Sequence, residues 1–380
     1  MLSPRPFRVL HVIDSLDLGG AQVVLLNLIK HADRARFALE AVSLHGHGVF
    51  WEPLKATGVP ASSLSFHHYF PSYVPGLLGL MLARRYDVVH CHLLAANVIA
   101  KPLAALCRVP VRINHDHCND KLTDPRPWAL PADRWTNRFS SHVIAVSEST
   151  RQFVETDEGV PAAHTSTIHN GIDCTVNRPR PEARAEARRR WNLPPDAVVI
   201  AGIGRLTDQK NFALFLEVAA RVCAVQPNAF FAIAGTGEQE AALREHAQRL
   251  GIADRVRFLG FVREMTELYP ALDFLLLTSK YEGLPITILE AMANGVPIVA
   301  SKLDGIAEVL TDGHDAALVS EQDAEAFAAR LRELLEQPVL AAEFAARALE
   351  KVRAQYSAER MTREVEAIYL RYLRAGASNQ

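Results

Sequence analysis

Short apolar runs alternate with amphipathic stretches along nearly the whole chain. Residues 7–13 are apolar and bounded by Pro6 and Asp14, and after Gly19-Gly20 the apolar positions Val23, Val24, Leu26 and Ile29 recur at helical spacing. This predicts a strand, a glycine turn and a helix. The motif continues with strands at 39–44, 87–90, 111–114 and 143–146 and helices at 51–57 and 149–155. A change of composition follows at 179–195, where prolines flank the charged run 182–190. Beyond it the alternation resumes, with strands at 198–201, 230–234, 256–259, 273–277 and 297–300 and helices at 211–225 and 238–250. The last forty residues follow a helical pattern broken near Gln337-Pro338 and Tyr356-Ser357. Ser357 is a candidate N-cap, although Arg360 leaves the capping box half complete. Short apolar strands alternating with helices imply parallel sheets covered on both faces. The expected organisation is therefore α/β with two Rossmann-like domains, 1–177 and 178–356.

Composition narrows the partners. A chain of 380 residues suits two domains, each with its own core. Its 41 Lys and Arg against 43 Asp and Glu leave no basic excess for a nucleic-acid backbone, so no nucleic-acid partner is expected. Five cysteines, far apart and without a Cys-x-x-Cys pair, suggest a reducing compartment and neither zinc nor redox chemistry. The apolar run before Asp14 is too short for a signal-peptide core or a membrane span, which points to a cytoplasmic protein.

The candidate chemistry centres on Ser279-Lys280-Tyr281-Glu282-Gly283-Leu284-Pro285. A buried strand runs there into a turn and a helix that Pro285 can open within its first turn. Such a helix start offers N–H groups and a positive dipole end to a diphosphate. A carboxylate would repel phosphate, so Glu282 and Glu290 suit neutral hydroxyls. Taken alone, the two acids could equally be a solvated turn residue and a surface helix residue. The spacing of Glu282 and Glu290 within YEGLPITILEAMANGVPIVAS resembles the double-glutamate signature of retaining GT-B glycosyltransferases of family 4. Gly204-Arg205-Leu206 followed by Gln209-Lys210-Asn211 is similar to the family's basic donor-phosphate motif. Ala234-Gly235-Thr236-Gly237 resembles its next glycine turn, and VRFLGFV at 256–262 the strand and loop that hold the base.

The resemblance implies two facing domains with a cleft between them, and a last helix, 357–376, that returns to the first. It implies transfer of a hexose from a nucleoside-diphosphate sugar to a glycan, lipid-linked or small-molecule acceptor, with retention, in cell-envelope or exopolysaccharide synthesis. Arg205 and Lys210 would neutralise the diphosphate without any metal or other cofactor. Glu290 would hold the ribose and Glu282 a sugar hydroxyl. The backbone of Gly283, Leu284, Pro285 and Ile286 would hold the sugar and phosphates, Gly204 and Gly237 would shape the phosphate loops, and the Val262 backbone would read the base. In the first half, Gly19 and Gly20 occupy the first strand-to-helix turn, where a plain tight turn is the alternative. His115 resembles the family histidine that contacts the transferred sugar, with His117 as the alternative assignment. His92 is expected to face the cleft. His90-Cys91-His92 and His115 to Cys118 superficially suggest a metal site, but alternation along a strand turns Cys91 away from both histidines.

Residues 84–138 hold nine Lys or Arg against five Asp beside the apolar stretch 69–82, which makes the inner face of a membrane a candidate partner. Three rival readings stay open. A dinucleotide oxidoreductase shares the architecture, but Gly235-Thr236-Gly237-Glu238-Gln239-Glu240 lacks the third glycine. A catalytically silent sugar-nucleotide-binding protein and a sugar-nucleotide epimerase would keep the same binding residues.

Overall fold

The computed structural model describes residues 5–64, 73–118 and 126–377. Part of the apolar stretch 69–82 and part of the basic stretch 84–138 lie outside them. The chain forms two compact units, one of residues 1–171 with 358–380 and the other of residues 172–357. The change of unit thus precedes the proline-flanked run, whose helix Arg184–Arg190 belongs to the second unit.

The first unit carries seven parallel strands: β1 Phe7–Ser15, β2 Phe37–His45, β3 Ala61–Ser63, β4 Val88–His92, β5 Val111–Asp116, β6 His142–Ala145 and β7 Thr165–Thr167. Their order is β3-β2-β1-β4-β5-β6-β7. The second unit carries β8 Val198–Ile203, β9 Ala229–Ala234, β10 Val256–Gly260, β11 Phe274–Leu277, β12 Ile298–Ser301 and β13 Ala317–Val319. Their order, β10-β9-β8-β11-β12-β13, repeats the same winding from the middle outwards. Each sheet therefore has the doubly wound order in which ligand loops gather at the carboxyl ends of the central strands. The short strands β3, β7 and β13 escape the apolar-run pattern because each has only three residues at or near a sheet edge.

Apolar burial explains the core of each unit. In the second, Phe212, Phe215, Val218 and Val222 of helix Phe212–Val225 pack with Phe231 and Ile233 of β9 and with Phe327 and Leu331 of helix Ala324–Glu336. In the first, Leu10, Val12, Val89 and Cys91 meet Ala96, Ala100 and Ala104 of helix Leu94–Leu106. The terminal helix Ala358–Ala377 lies in the first unit, where Glu366 accepts the Asp33 N–H at 2.8 Å and the Tyr369 hydroxyl meets His90 Nδ1 at 2.5 Å.

A second, polar core runs under the first sheet. Lys101 is wholly buried in helix Leu94–Leu106, and its ammonium donates to Asp133 Oδ1 at 2.9 Å and Asn137 Oδ1 at 2.6 Å. Asn137 in turn donates to Glu158 at 2.8 Å, so one cation ties together three elements. Breaking such a pair leaves an uncompensated charge in a dry interior. Asp133→Ala should therefore cost about 3–5 kcal/mol, read as a loss in the denaturant midpoint of the first unit's transition. The double variant Lys101→Met/Asp133→Leu should recover most of that loss.

Candidate active site

The loops at the carboxyl ends of β8, β9 and β11 are held by backbone packed on backbone. A Cβ at Gly235 would lie 1.8 Å from the Gly204 carbonyl oxygen, and one at Gly237 would lie 2.4 Å from that of Leu206. Gly204 and Gly235 also sit at φ 153° and 144°, where side chains are strained. Hydrogen bonds lace the two turns: Leu206 N–H donates to Thr236 O at 3.0 Å, and Gln239 N–H to Leu206 O at 3.1 Å. Gly235 N–H donates to Gly260 O at the end of β10, just before the buried Val262.

The same packing joins this loop to the segment after β11. Lys280 N–H donates to Gln209 O at 2.8 Å, the Gln209 amide donates to Tyr281 O at 3.1 Å, and Thr278 Oγ1 donates to Asn211 O at 3.0 Å. These ties bring Lys210 Nζ to 2.5 Å from Glu282 Oε1. The pair is largely sheltered, with side-chain exposures of 14% and 7%. Lys210 also lays its stem against Gly204, leaving no room there for a side chain without movement. Arg205 is exposed, and among the described residues its guanidinium makes no hydrogen bond or ion pair.

Next to Glu282 the chain is pinned from the far side. A Cβ at Gly305 would fall 1.5 Å from the Gly283 carbonyl oxygen, so only glycine allows that approach. Gly305 was missed in the sequence because its requirement comes entirely from this distant contact. Pro285 stands one residue before the helix Ile286–Ala293, extended at φ −70° and ψ 126°, rather than inside its first turn. No side chain caps that helix; Ile288 N–H donates to Pro285 O at 3.1 Å, and the amides before it make no side-chain cap bond. Leu284 and Ile286 bury their side chains.

Glu290 is not a surface helix acid. It is buried, accepts a hydrogen bond from the Tyr269 hydroxyl at 3.0 Å, and burial pushes its pKa up from 4.5 to about 7 against the opposing effect of that bond. Tyr269, another residue the sequence did not single out, is itself fully buried. The second unit thus gathers two carboxylates, one paired and one unpaired cation, and an uncapped helix start, a set suited to a ligand with both hydroxyls and negative charge.

In the first unit, Gly19 has φ 177°, ordinary extended backbone, and Gly20 is the first residue of helix Gly20–His31. The closer constraint on that turn is Gly48, at φ 56°, where a Cβ would lie 2.3 Å from Leu16 backbone. Asp14, at the end of β1, accepts the Ala95 and Ala96 N–H groups at 2.9 and 2.6 Å. Burial nevertheless raises its pKa to about 6.

The histidines differ most from expectation. His92 does not face an opening: it is fully buried, with Nε2 3.2 Å from His11 Nδ1 and Nδ1 3.1 Å from His117 Nε2. His115 is also fully buried, stacked between His90 and His117, while His117 keeps partial exposure. Burial holds the pKa of His90, His92 and His115 well below the usual imidazole value, and that of His11 at about 3. Cys91 points to the opposite face, into the apolar core.

Comparison with known proteins agrees with this architecture. Residues 183–351 match the model for glycosyl transferases group 1, and residues 18–176 match that for glycosyltransferase family 4. The chain belongs to this family of GT-B glycosyltransferases. An uncharacterized glycosyltransferase of Methanocaldococcus jannaschii is 31% identical over 244 residues, which span 61% of this chain and 62% of that protein. The UDP-Gal:alpha-D-GlcNAc-diphosphoundecaprenol alpha-1,3-galactosyltransferase of Escherichia coli is 25% identical over 70% of each chain. The crystal structure of Anabaena HepE in complex with UDP-glucose shares the fold, with a TM-score of 0.85 and 23% identity over 95% of this chain and 98% of that one.

Glu290 generates a prediction independent of any ligand. Its folded pKa lies above the unfolded value, so its contribution to stability is fully present below pH 4.5 and is lost as pH rises through about 7. Glu290→Gln should therefore melt higher than the parent at pH 8, and that advantage should shrink toward pH 5. A melting difference that is flat across this range would show that Glu290 ionises normally.

Proposed function

We propose that this glycosyltransferase moves a hexose from a nucleoside-diphosphate sugar to a glycan or lipid-linked acceptor, with retention of configuration and without a divalent metal ion. The observation that carries the reading is the Lys210–Glu282 pair beside Gly204 and Gly283, with Arg205 on the same loop unpaired among the described residues. A diphosphate arriving there meets a guanidinium, an ammonium and a helix start. Those groups supply the positive charge that a metal would otherwise provide. Lys210 has two further N–H donors beyond the one given to Glu282, so it can serve phosphate while holding the carboxylate in place.

In this reading Glu282 accepts a hydrogen bond from a hydroxyl of the transferred sugar, and Glu290 accepts from the ribose hydroxyls. Backbone from Gly283 to Ile286 holds the sugar and phosphates, and backbone at Val262 reads the base. The sugar bond breaks as Arg205, Lys210 and the helix start stabilise the departing diphosphate, which accepts the proton of the attacking hydroxyl. No carboxylate acts as a nucleophile. Gly19 and Gly20 approach the donor through backbone, and His115, wholly buried among its neighbouring histidines, contacts the transferred sugar once its ring is uncovered. UDP sugars are the first donors to test, because Anabaena HepE binds UDP-glucose and the E. coli relative is named for UDP-galactose. The diphosphoundecaprenol acceptor in the latter name supports a lipid-linked acceptor, and cell-envelope or exopolysaccharide synthesis as the setting.

The chain works at the cytoplasmic face of a membrane in this proposal, bound at the surface. Among the described residues no helix is long and apolar enough to cross one. Trp128 and Trp135 are about half exposed and sit seven residues apart, on one side of helix Ala129–Thr136. Arg126 and Arg138 stack on them at 5.2 and 4.7 Å, which places cation and indole together as interfacial anchors are.

Lys210→Ala and Glu282→Ala should each lower transfer from a UDP sugar by a factor of about 100 or more with unchanged circular dichroism, since each removes charge control at the breaking bond. Full transfer in either variant would sink the assignment. The parent should keep its activity in EDTA. Donor turnover without any acceptor dependence would favour an epimerase, and donor binding without turnover a silent binding protein. For the membrane, Trp128→Ala/Trp135→Ala should abolish co-sedimentation with anionic vesicles at low salt, and a parent chain that fails to sediment with them would dispose of the idea.

A further inference from the structure

Five histidines, His11, His90, His92, His115 and His117, are stacked along one face of β1, β4 and β5. Strand geometry explains how they meet. Residues two apart share a face, which aligns His90 with His92 and His115 with His117. The parallel register then sets His11 directly opposite His90, and His92 opposite His115. Two triads result, His11 with His90 and His92, and His92 with His115 and His117. In each, one ring nitrogen per residue lies within 4.8 Å of the others.

We propose that His92, His115 and His117 form a binding site for one divalent ion of the zinc, cobalt and nickel class. Three imidazoles with a fourth position open are a ligand set these ions favour. His92 Nδ1 and His117 Nε2 are 3.1 Å apart, which is close to the spacing of two nitrogens each about 2.0–2.1 Å from one tetrahedral ion. His92 is oriented from behind, because its Nε2 engages His11 Nδ1 at 3.2 Å, the kind of outer contact that fixes a metal-binding imidazole.

His115 completes the set. It is wholly buried, and neither of its ring nitrogens has a hydrogen-bond partner among the described residues. A neutral imidazole always carries one N–H and one lone pair, so burying both unmatched costs about 1–3 kcal/mol for each group. A turn of the His115 ring toward the His92–His117 edge would give its lone pair an ion. The other triad is fully enclosed, and its His90 is held by Tyr369, whereas the partly exposed His117 gives the proposed site an approach from solvent.

Ion binding withdraws His115 from any other role. Resting on the assignment of His115 to the transferred sugar, the site makes zinc an inhibitor of transfer, while the charge at Arg205 and Lys210 is untouched.

The test is a cobalt(II) titration of the chelator-stripped full chain, followed by visible absorption and repeated with zinc by calorimetry. One ion per chain is expected, with affinity at least tenfold weaker in His117→Ala and His115→Ala, both checked for fold by circular dichroism. Absence of stoichiometric binding, or equal affinity in parent and both variants, would overturn the site. Loss of binding in His90→Ala alone would overturn it as well, by assigning the ion to the enclosed triad. Cobalt binding that leaves transfer unaffected supports the site and counts against His115 touching the sugar.

Discussion

The second unit depends on backbone atoms approaching closer than any side chain would permit. Gly235 rests on the carbonyl of Gly204, Gly237 on Leu206, and Gly305 on Gly283. In a parallel sheet all strands end on one side, so their exit loops crowd together and must satisfy one another's amides and carbonyls. Glycine is the residue that lets this crowding become contact. Everything that bears charge in the site hangs from those contacts: Lys210 follows the Gly204 turn, and Glu282 precedes the carbonyl that Gly305 fixes. The geometry of the ion pair is therefore a property of main-chain packing more than of the two side chains.

That arrangement also orders the electrostatics. Lys210 and Glu282 neutralise each other in a sheltered place, which lowers the cost of keeping either one charged there. Arg205 stays exposed and, among the described residues, unpaired. Among the described residues Glu290 meets the Tyr269 hydroxyl and no cation, and burial raises its proton affinity. Two glutamates eight positions apart in sequence thus have different surroundings, one held by a positive charge and the other by a neutral donor.

The first unit solves a different problem, that of burying polar groups beneath a sheet. Lys101, Asp133, Asn137 and Glu158 do so by connecting to one another, so each charge has a partner. The histidines do it by stacking and by short contacts between ring nitrogens, and among the described residues His115 has no hydrogen-bond partner. A fold with ample apolar side chains has no need of five imidazoles on one sheet face for stability alone. His92, His115 and His117 lie at the carboxyl ends of β4 and β5, where doubly wound sheets carry their function, while His11 and His90 stand further back along β1 and β4.

Much of this protein was legible in its sequence. Buried parallel strands are short apolar runs, so the central strands and most of the helices between them follow from pattern, and both sheets have the winding such patterns imply. The glycine turns at Gly204 and Gly237, the basic residues Arg205 and Lys210, and the acids Glu282 and Glu290 are local signals that motif resemblance could read. Tertiary structure alone decided which of them touch. Gly305, Gly48 and Tyr269 matter through partners far along the chain, and no local pattern records such contacts. His92 looked outward by its place at a strand end, yet neighbouring strands bring histidines to both of its ring nitrogens and close it in. Periodicity specifies which face of a strand a side chain takes, but burial and pairing are set by what the next strand places opposite.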